Sequence, residues 1–184
     1  MVESIWAAEG LELFRGDLSC DMGEWAALLS EDEVARAARY GDLVLRRRFV
    51  VRRGMLRWLL GSEVAFEYGE FGKPSTPGLE FSVSSSGDLA VFLLSSVGPV
   101  GVDVERIDPD FEFAGILDGV ESSSEFFRAW TRREAVGKAA GTGIAEEPVG
   151  GFDVVNLDVI EGAAVGVALT ANARFSRGNS VKIS

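Results

Sequence analysis

The chain has 184 residues, 47% of them hydrophobic with 12 Phe and 4 Trp, enough for one substantial core or two small subdomains packed together, which argues against disorder. It contains no histidine, which excludes Ser-His-Asp hydrolysis, His-bound zinc and histidine general bases; chemistry must rest on carboxylates, Lys, Arg, hydroxyls or an oxygen-held metal. A net charge of -11 disfavours nucleic acid and anionic membranes as partners, and the single cysteine, Cys20, suits a reducing cytoplasm.

Met1-Val-Glu-Ser-Ile5 lacks the basic start of a signal peptide, and no stretch approaches the roughly 20 apolar residues of a membrane span. Ser30-Glu-Asp-Glu33 has the form of a capping box and predicts a helix over residues 31–40. Gly41 interrupts, and a second helix is predicted over 43–60, ended by Gly61. Across these helices Arg36, Arg39, Arg46, Arg47, Arg48, Arg52, Arg53 and Arg57 stand against one acid, Asp42. Such an island on an acidic protein suits a local anionic ligand, although arginine stems also cover apolar surface. Residues 62–68 alternate like a strand, and 71–78 form a turn-rich loop. Residues 81–85, 89–95 and 100–105 read as strands divided by Gly87 and by Gly98-Pro99. A loop over 108–123 leads to a helix over 124–140, closed by Gly141-Thr142-Gly143. The tail, 151–184, carries short strand-like runs, notably Val154-Val155 and 165–169. Helix followed by strands occurs twice, so the class is α+β, with halves at 1–97 and 98–184.

Two segments carry chemistry. In Val100-Gly-Val-Asp-Val-Glu105, residues two apart share a strand face, so Asp103 and Glu105 point together while Val102 and Val104 face the opposite side. Two adjacent carboxylates repel and call for a compensating cation; a half-exposed acidic edge strand is the simpler alternative. In residues 127–141, Trp130, Glu134 and Lys138 lie four residues apart on one helical stripe. The Glu134–Lys138 spacing also fits an ordinary surface ion pair; taken with the strand, Glu134 is a candidate third oxygen ligand for the same ion.

The order Gly-Val-Asp-Val-Glu, then Trp-Thr-x-Arg-Glu-Ala-x-x-Lys-x-x-Gly, resembles the 4'-phosphopantetheinyl transferase superfamily, in particular its single-chain, Sfp-type branch. Phe71-Gly-Lys-Pro74 is similar to the family's Gly-Lys-Pro loop. Ser82-Val-Ser-Ser-Ser-Gly87 stands where the family has Asn-x-Ser-His-Ser-Gly, with Ser85 in place of the histidine. The resemblance covers roughly residues 36–144. It implies two similar helix-plus-antiparallel-sheet halves related by a pseudo-two-fold. It also implies transfer of the 4'-phosphopantetheine group from coenzyme A to a serine of an acyl- or peptidyl-carrier protein, with release of 3',5'-ADP, in a cytoplasmic monomer.

Carried over by position, Asp103, Glu105 and Glu134 are implied ligands of Mg2+ or Mn2+, and Glu134 also accepts the carrier serine's proton. Lys138 is implied to neutralise the pyrophosphate or protonate the leaving 3',5'-ADP. Lys73 and Ser85 are placed along the coenzyme A phosphates, and Arg48 on the 3'-phosphate. The alternatives are a degenerate member that binds coenzyme A or a carrier protein without turnover, and an acidic interaction domain with no ligand.

Overall fold

A computed structural model of the protein describes residues 1–69, 72–142 and 151–170. Phe71 of the Gly-Lys-Pro block, Gly143 behind the second long helix and the tail beyond residue 170 lie outside the described residues.

Two strands not expected from the sequence open the chain. β1 (Val2–Ala8) and β2 (Leu11–Asp17) form an antiparallel hairpin turned at Gly10, whose φ of 72° suits glycine. Three helices follow: α1 (Gly23–Ala26), α2 (Glu31–Ala37) and α3 (Leu43–Leu60). The capping box is present at α2, where Ser30 accepts from the Glu33 amide and the Glu33 carboxylate accepts from the Ser30 amide. Asp42 caps α3 by accepting from the Val44 and Leu45 amides. Glu33 also accepts from Arg57 Nε at 2.6 Å, a buried ion pair that fixes α2 to α3.

The strand expected over 62–68 is reduced to β3 (Glu67–Tyr68), paired with β4 (Pro74–Ser75). The cause is Arg57, whose guanidinium takes the Ser62 and Val64 carbonyls that a strand would offer to a neighbour. The remaining elements fall close to expectation: β5 (Glu80–Ser86), β6 (Leu89–Ser95), β7 (Val100–Arg106), α4 (Ser123–Ala140), β8 (Phe152–Asn156) and β9 (Ala163–Thr170).

Among the described residues the long strands form two antiparallel sheets, ordered β1-β2-β6-β5 and β7-β9-β8. Alternation along β6 shows how they stack. Leu89, Val91 and Leu93 enter a core shared with Val100, Val102 and Val104 of β7 and Val165, Val167 and Leu169 of β9. Ala90 and Phe92 point the other way, onto Val51, Met55 and Leu56 of α3. On the far side Ala135 and Ala139 of α4 pack on Ala168. The fold is therefore α+β, layered helix, sheet, sheet, helix.

Two details of this stack position the candidate site. First, a Cβ on Gly101 or Gly166 would collide with the carbonyl of Ala135 or Thr131, so α4 lies unusually close to β7 and β9. Second, the edge strands β5 and β7 meet without a backbone ladder. Serine hydroxyls take its place: Ser82 Oγ accepts from the Val102 amide at 3.0 Å, and Ser86 Oγ from the Arg106 amide at 3.1 Å.

Candidate functional site

Because valines at 100, 102 and 104 fill the intersheet core, the residues between them must face α4. Gly101 gives the clearance, and Asp103 and Glu105 follow on the same face. Asp103 is buried, its side chain 5% exposed. Its Oδ1 accepts from Ser84 Oγ at 2.6 Å and from Lys138 Nζ at 2.6 Å, and Lys138 also donates to Ser84 Oγ at 2.9 Å. Glu105 accepts from Ser86 Oγ at 2.7 Å. The four-residue spacing on α4 brings Glu134 to the same cluster, one turn before Lys138.

The electrostatics match this crowding. Burial, and then the neighbouring Asp103, hold the Glu134 carboxyl above the ordinary carboxylate range. Burial also raises Glu105, against the opposing Ser86 hydrogen bond and with a further push from Asp103. Three carboxylates thus share one ammonium, that of Lys138. Two buried oxygens, Asp103 Oδ2 and Glu134 Oε1, have no hydrogen-bond partner among the described residues. These all-oxygen, under-compensated donors suit a hard divalent cation. Among the described residues no three acidic side chains are gathered tightly enough to enclose an ion; Lys138 and Ser84 hold Asp103, and Ser86 holds Glu105.

Lys73, the residue just before β4, reaches the same region. Its Nζ donates to the carbonyls of Lys138 at 2.8 Å and Val100 at 3.3 Å, and burial lowers its pKa. Lys73 and Lys138 line one hollow of about 230 Å³ with Gly72, Pro74 and Val83. Ser85, on the opposite face of β5 from Ser84, accepts from the Arg52 guanidinium at 2.7 Å. Arg48 is not drawn into the cluster; one turn before Arg52, it pairs with Asp88 at 2.8 Å, an acid it shares with Arg47.

Sequence reasoning passed over Ser84, Ser86 and Arg52. The alternation Ser82, Ser84, Ser86 was a signal for one strand face, and the step from Arg48 to Arg52 a signal for one helix face. Neither says what lies opposite.

Fold and site together define an α+β protein with a carboxylate pair on a sheet edge, faced by a helix that returns a glutamate and a lysine. Curated relatives share this chain's sequence. It is 35% identical to the 4'-phosphopantetheinyl transferase HetI of Nostoc sp., over 66% of this chain and 63% of that protein. It is 31% identical to a putative 4'-phosphopantetheinyl transferase of Synechocystis sp., over 66% and 60%. It is 36% identical to the 4'-phosphopantetheinyl transferase AcpT of Escherichia coli O157:H7, over 52% and 58%. Over the matched region the chain is similar to several 4'-phosphopantetheinyl transferases. It spans about three fifths of the length of these relatives. No protein-family model matches it. No helix among the described residues is long and apolar enough to cross a membrane.

Proposed function

We propose that the chain transfers the 4'-phosphopantetheine group of coenzyme A to a serine hydroxyl of an acyl- or peptidyl-carrier protein. The observation that carries this reading is the cluster of Asp103, Glu134 and Lys138, with its two unpartnered carboxylate oxygens at one end of a lysine-lined hollow. The serine oxygen attacks the phosphorus that bears the pantetheine arm. A new P–O bond forms, the bond to the bridging pyrophosphate oxygen breaks, and 3',5'-ADP departs.

Glu134 accepts the serine proton, a role its raised pKa favours because it moves the group toward the operating pH. Lys138 faces the leaving phosphate and neutralises or protonates it, its ammonium held in place by Asp103 and Ser84. Lys73 lies along the pyrophosphate, and Ser85 on the opposite face of β5. Asp103 and Glu134, with Glu105 directly or through water, would hold Mg2+ or Mn2+, which when bound neutralises charge on the pyrophosphate oxygens.

Residues 1–97 and 98–184 act as two halves related by a pseudo-two-fold, each a helix laid on an antiparallel sheet; α3 on the first sheet and α4 on the second support this. The reading is of a cytoplasmic monomer, in keeping with a single cysteine, Cys20. Incubation with coenzyme A, Mg2+ and a panel of apo-carrier proteins, followed by mass spectrometry, tests the proposal. Addition of the phosphopantetheine arm to any carrier is the expected result. Coenzyme A binding with no addition to any of them would leave the non-catalytic alternative standing instead.

A further inference from the structure

The chain holds fifteen arginines and three lysines, and two of the lysines, Lys73 and Lys138, line one hollow. Arginine is this sequence's ordinary cation and lysine the exception. Lys73, half-buried, directs its hydrogen bonds to two carbonyls and to no carboxylate among the described residues.

Those carbonyls are particular ones. The last carbonyls of a helix have no amide of their own helix to accept from. In α4 the Gly137 carbonyl accepts from the Gly141 amide at 3.0 Å, with Gly141 in the left-handed conformation. The next carbonyl, that of Lys138, accepts from the Lys73 ammonium at 2.8 Å. A cation at this end also meets the negative pole of the helix, which supplies part of the missing counter-charge. The same ammonium donates to the Val100 carbonyl, at the start of β7, at 3.3 Å. Further along β7, Ser82 and Ser86 accept from the Val102 and Arg106 amides. Lys73 thus adds one more side-chain contact to β7 and ties it to the end of α4.

What needs tying is the position of the helix along the sheet. α4 lies on β7 and β9 through Gly101, Gly166, Ala135, Ala139 and Ala168, small residues that interlock little. Lys138 must nevertheless bring its ammonium to Asp103 at 2.6 Å and to Ser84 at 2.9 Å, and hydrogen bonds weaken outside that range. We propose that Lys73 is a positioning residue: by fixing the Lys138 carbonyl against β7, it sets where the Lys138 side chain meets Asp103 and Ser84. Two of its three hydrogens do this, and the third is left for an anion in the hollow. An ammonium can point donors at two carbonyls and into the hollow at once, whereas the donors of a guanidinium lie in one plane. What the positioned Lys138 does in catalysis rests on the transferase reading above.

The test compares the full chain as wild type, Lys73→Met and Lys73→Arg, in chelator and without coenzyme A. Acetylation of Lys138 by an N-hydroxysuccinimide ester is followed by peptide mass spectrometry, and hydrogen exchange at the end of α4 is compared with that of α3. Loss of a neighbouring positive charge would by itself raise the Lys138 pKa and slow acetylation. Lys73→Met should instead speed it by about tenfold to a hundredfold, the range of one hydrogen bond to a charged group. Lys73→Arg should recover little of the protection. Exchange should quicken in the last turn of α4 and not in α3, which separates local release from unfolding. With coenzyme A, Mg2+ and a carrier protein, kcat should fall more than KM rises in both variants. Slower or unchanged acetylation in Lys73→Met overturns the proposal, as does exchange quickened equally in α3 or protection fully kept in Lys73→Arg. A raised KM with unchanged kcat makes Lys73 a ligand alone and overturns it too. If wild type transfers nothing, the transferase reading fails while acetylation and exchange still judge Lys73.

Discussion

Replacing Glu134 with glutamine preserves the shape of the side chain and removes one negative charge from a cluster of three carboxylates around one ammonium. Burial and Asp103 raise the Glu134 pKa in the folded protein. The folded state therefore binds more protons than the unfolded state between the ordinary carboxylate value and the raised one, and stability falls as pH rises through that window. At a partly exposed site, the like-charge repulsion relieved by the substitution is on the order of 1 kcal/mol after screening. Glu134→Gln should then raise the metal-free Tm by about 2–4 °C at pH 7.5. Below about pH 4 the wild-type group is itself protonated, and the two proteins should melt together. Calorimetry in chelator at both pH values reads this directly. Adding Mg2+ at about ten times its Kd should stabilise wild type by about 1.4 kcal/mol at pH 7.5, and the variant by far less. Transfer by the variant should fall by about 10²–10⁴-fold, the span of a lost general base. A variant less stable than wild type without metal at pH 7.5, or one with an undiminished Mg2+ response, would refute the reasoning.

Gly101→Ala drives a methyl group into the Ala135 carbonyl; it should destabilise by about 2–3 kcal/mol and reduce transfer as α4 is lifted away, both read in parallel by calorimetry and turnover. Glu33→Gln leaves Arg57 buried without its counter-charge and should cost about 3–5 kcal/mol, seen in denaturant titration as a lower midpoint with an unchanged slope. Ser85→His places an imidazole against the Arg52 guanidinium, which holds it neutral; coenzyme A affinity should gain no more at pH 6 than at pH 8, and a clear gain confined to pH 6 would show that the Arg52 charge does not reach that position.

The site's acidic stripe was legible because it depends on periodicity alone. Two-residue spacing puts Asp103 and Glu105 on one strand face, four-residue spacing puts Glu134 and Lys138 on one helix face, and the valines between them fix which face is buried. The bounds of α3, β6 and α4 were nearly legible too, the two long helices being closed by glycine at 61 and 141, while their caps at Asp42 and Ser122 emerged only in the structure. The opening hairpin was not, because a register shift between Ser4 and Trp6 breaks the alternation of β1. Residues 62–66 alternate convincingly, yet their carbonyls go to Arg57, a partner that only the tertiary fold brings near. The same limit hid Ser84 and Arg52. A hydroxyl in a serine run, or one arginine among eight, acquires its role from what the opposite element presents.

Residues on the two edge strands at the serine seam also guard each other. β5 turns its open side to β7, and the hydroxyls of Ser82 and Ser86 occupy β7 amides that would otherwise be ready to recruit another strand. A chain cut or terminated between β6 and β7 would bare the β5 edge and, on the adjoining face, Leu11, Leu13, Leu89, Val91 and Leu93. An unpaired edge beside a flat apolar face is the surface from which sheets polymerise. Each sheet thus covers the other's apolar face and open edge, and a chain ended near residue 97 would expose a surface prone to aggregation.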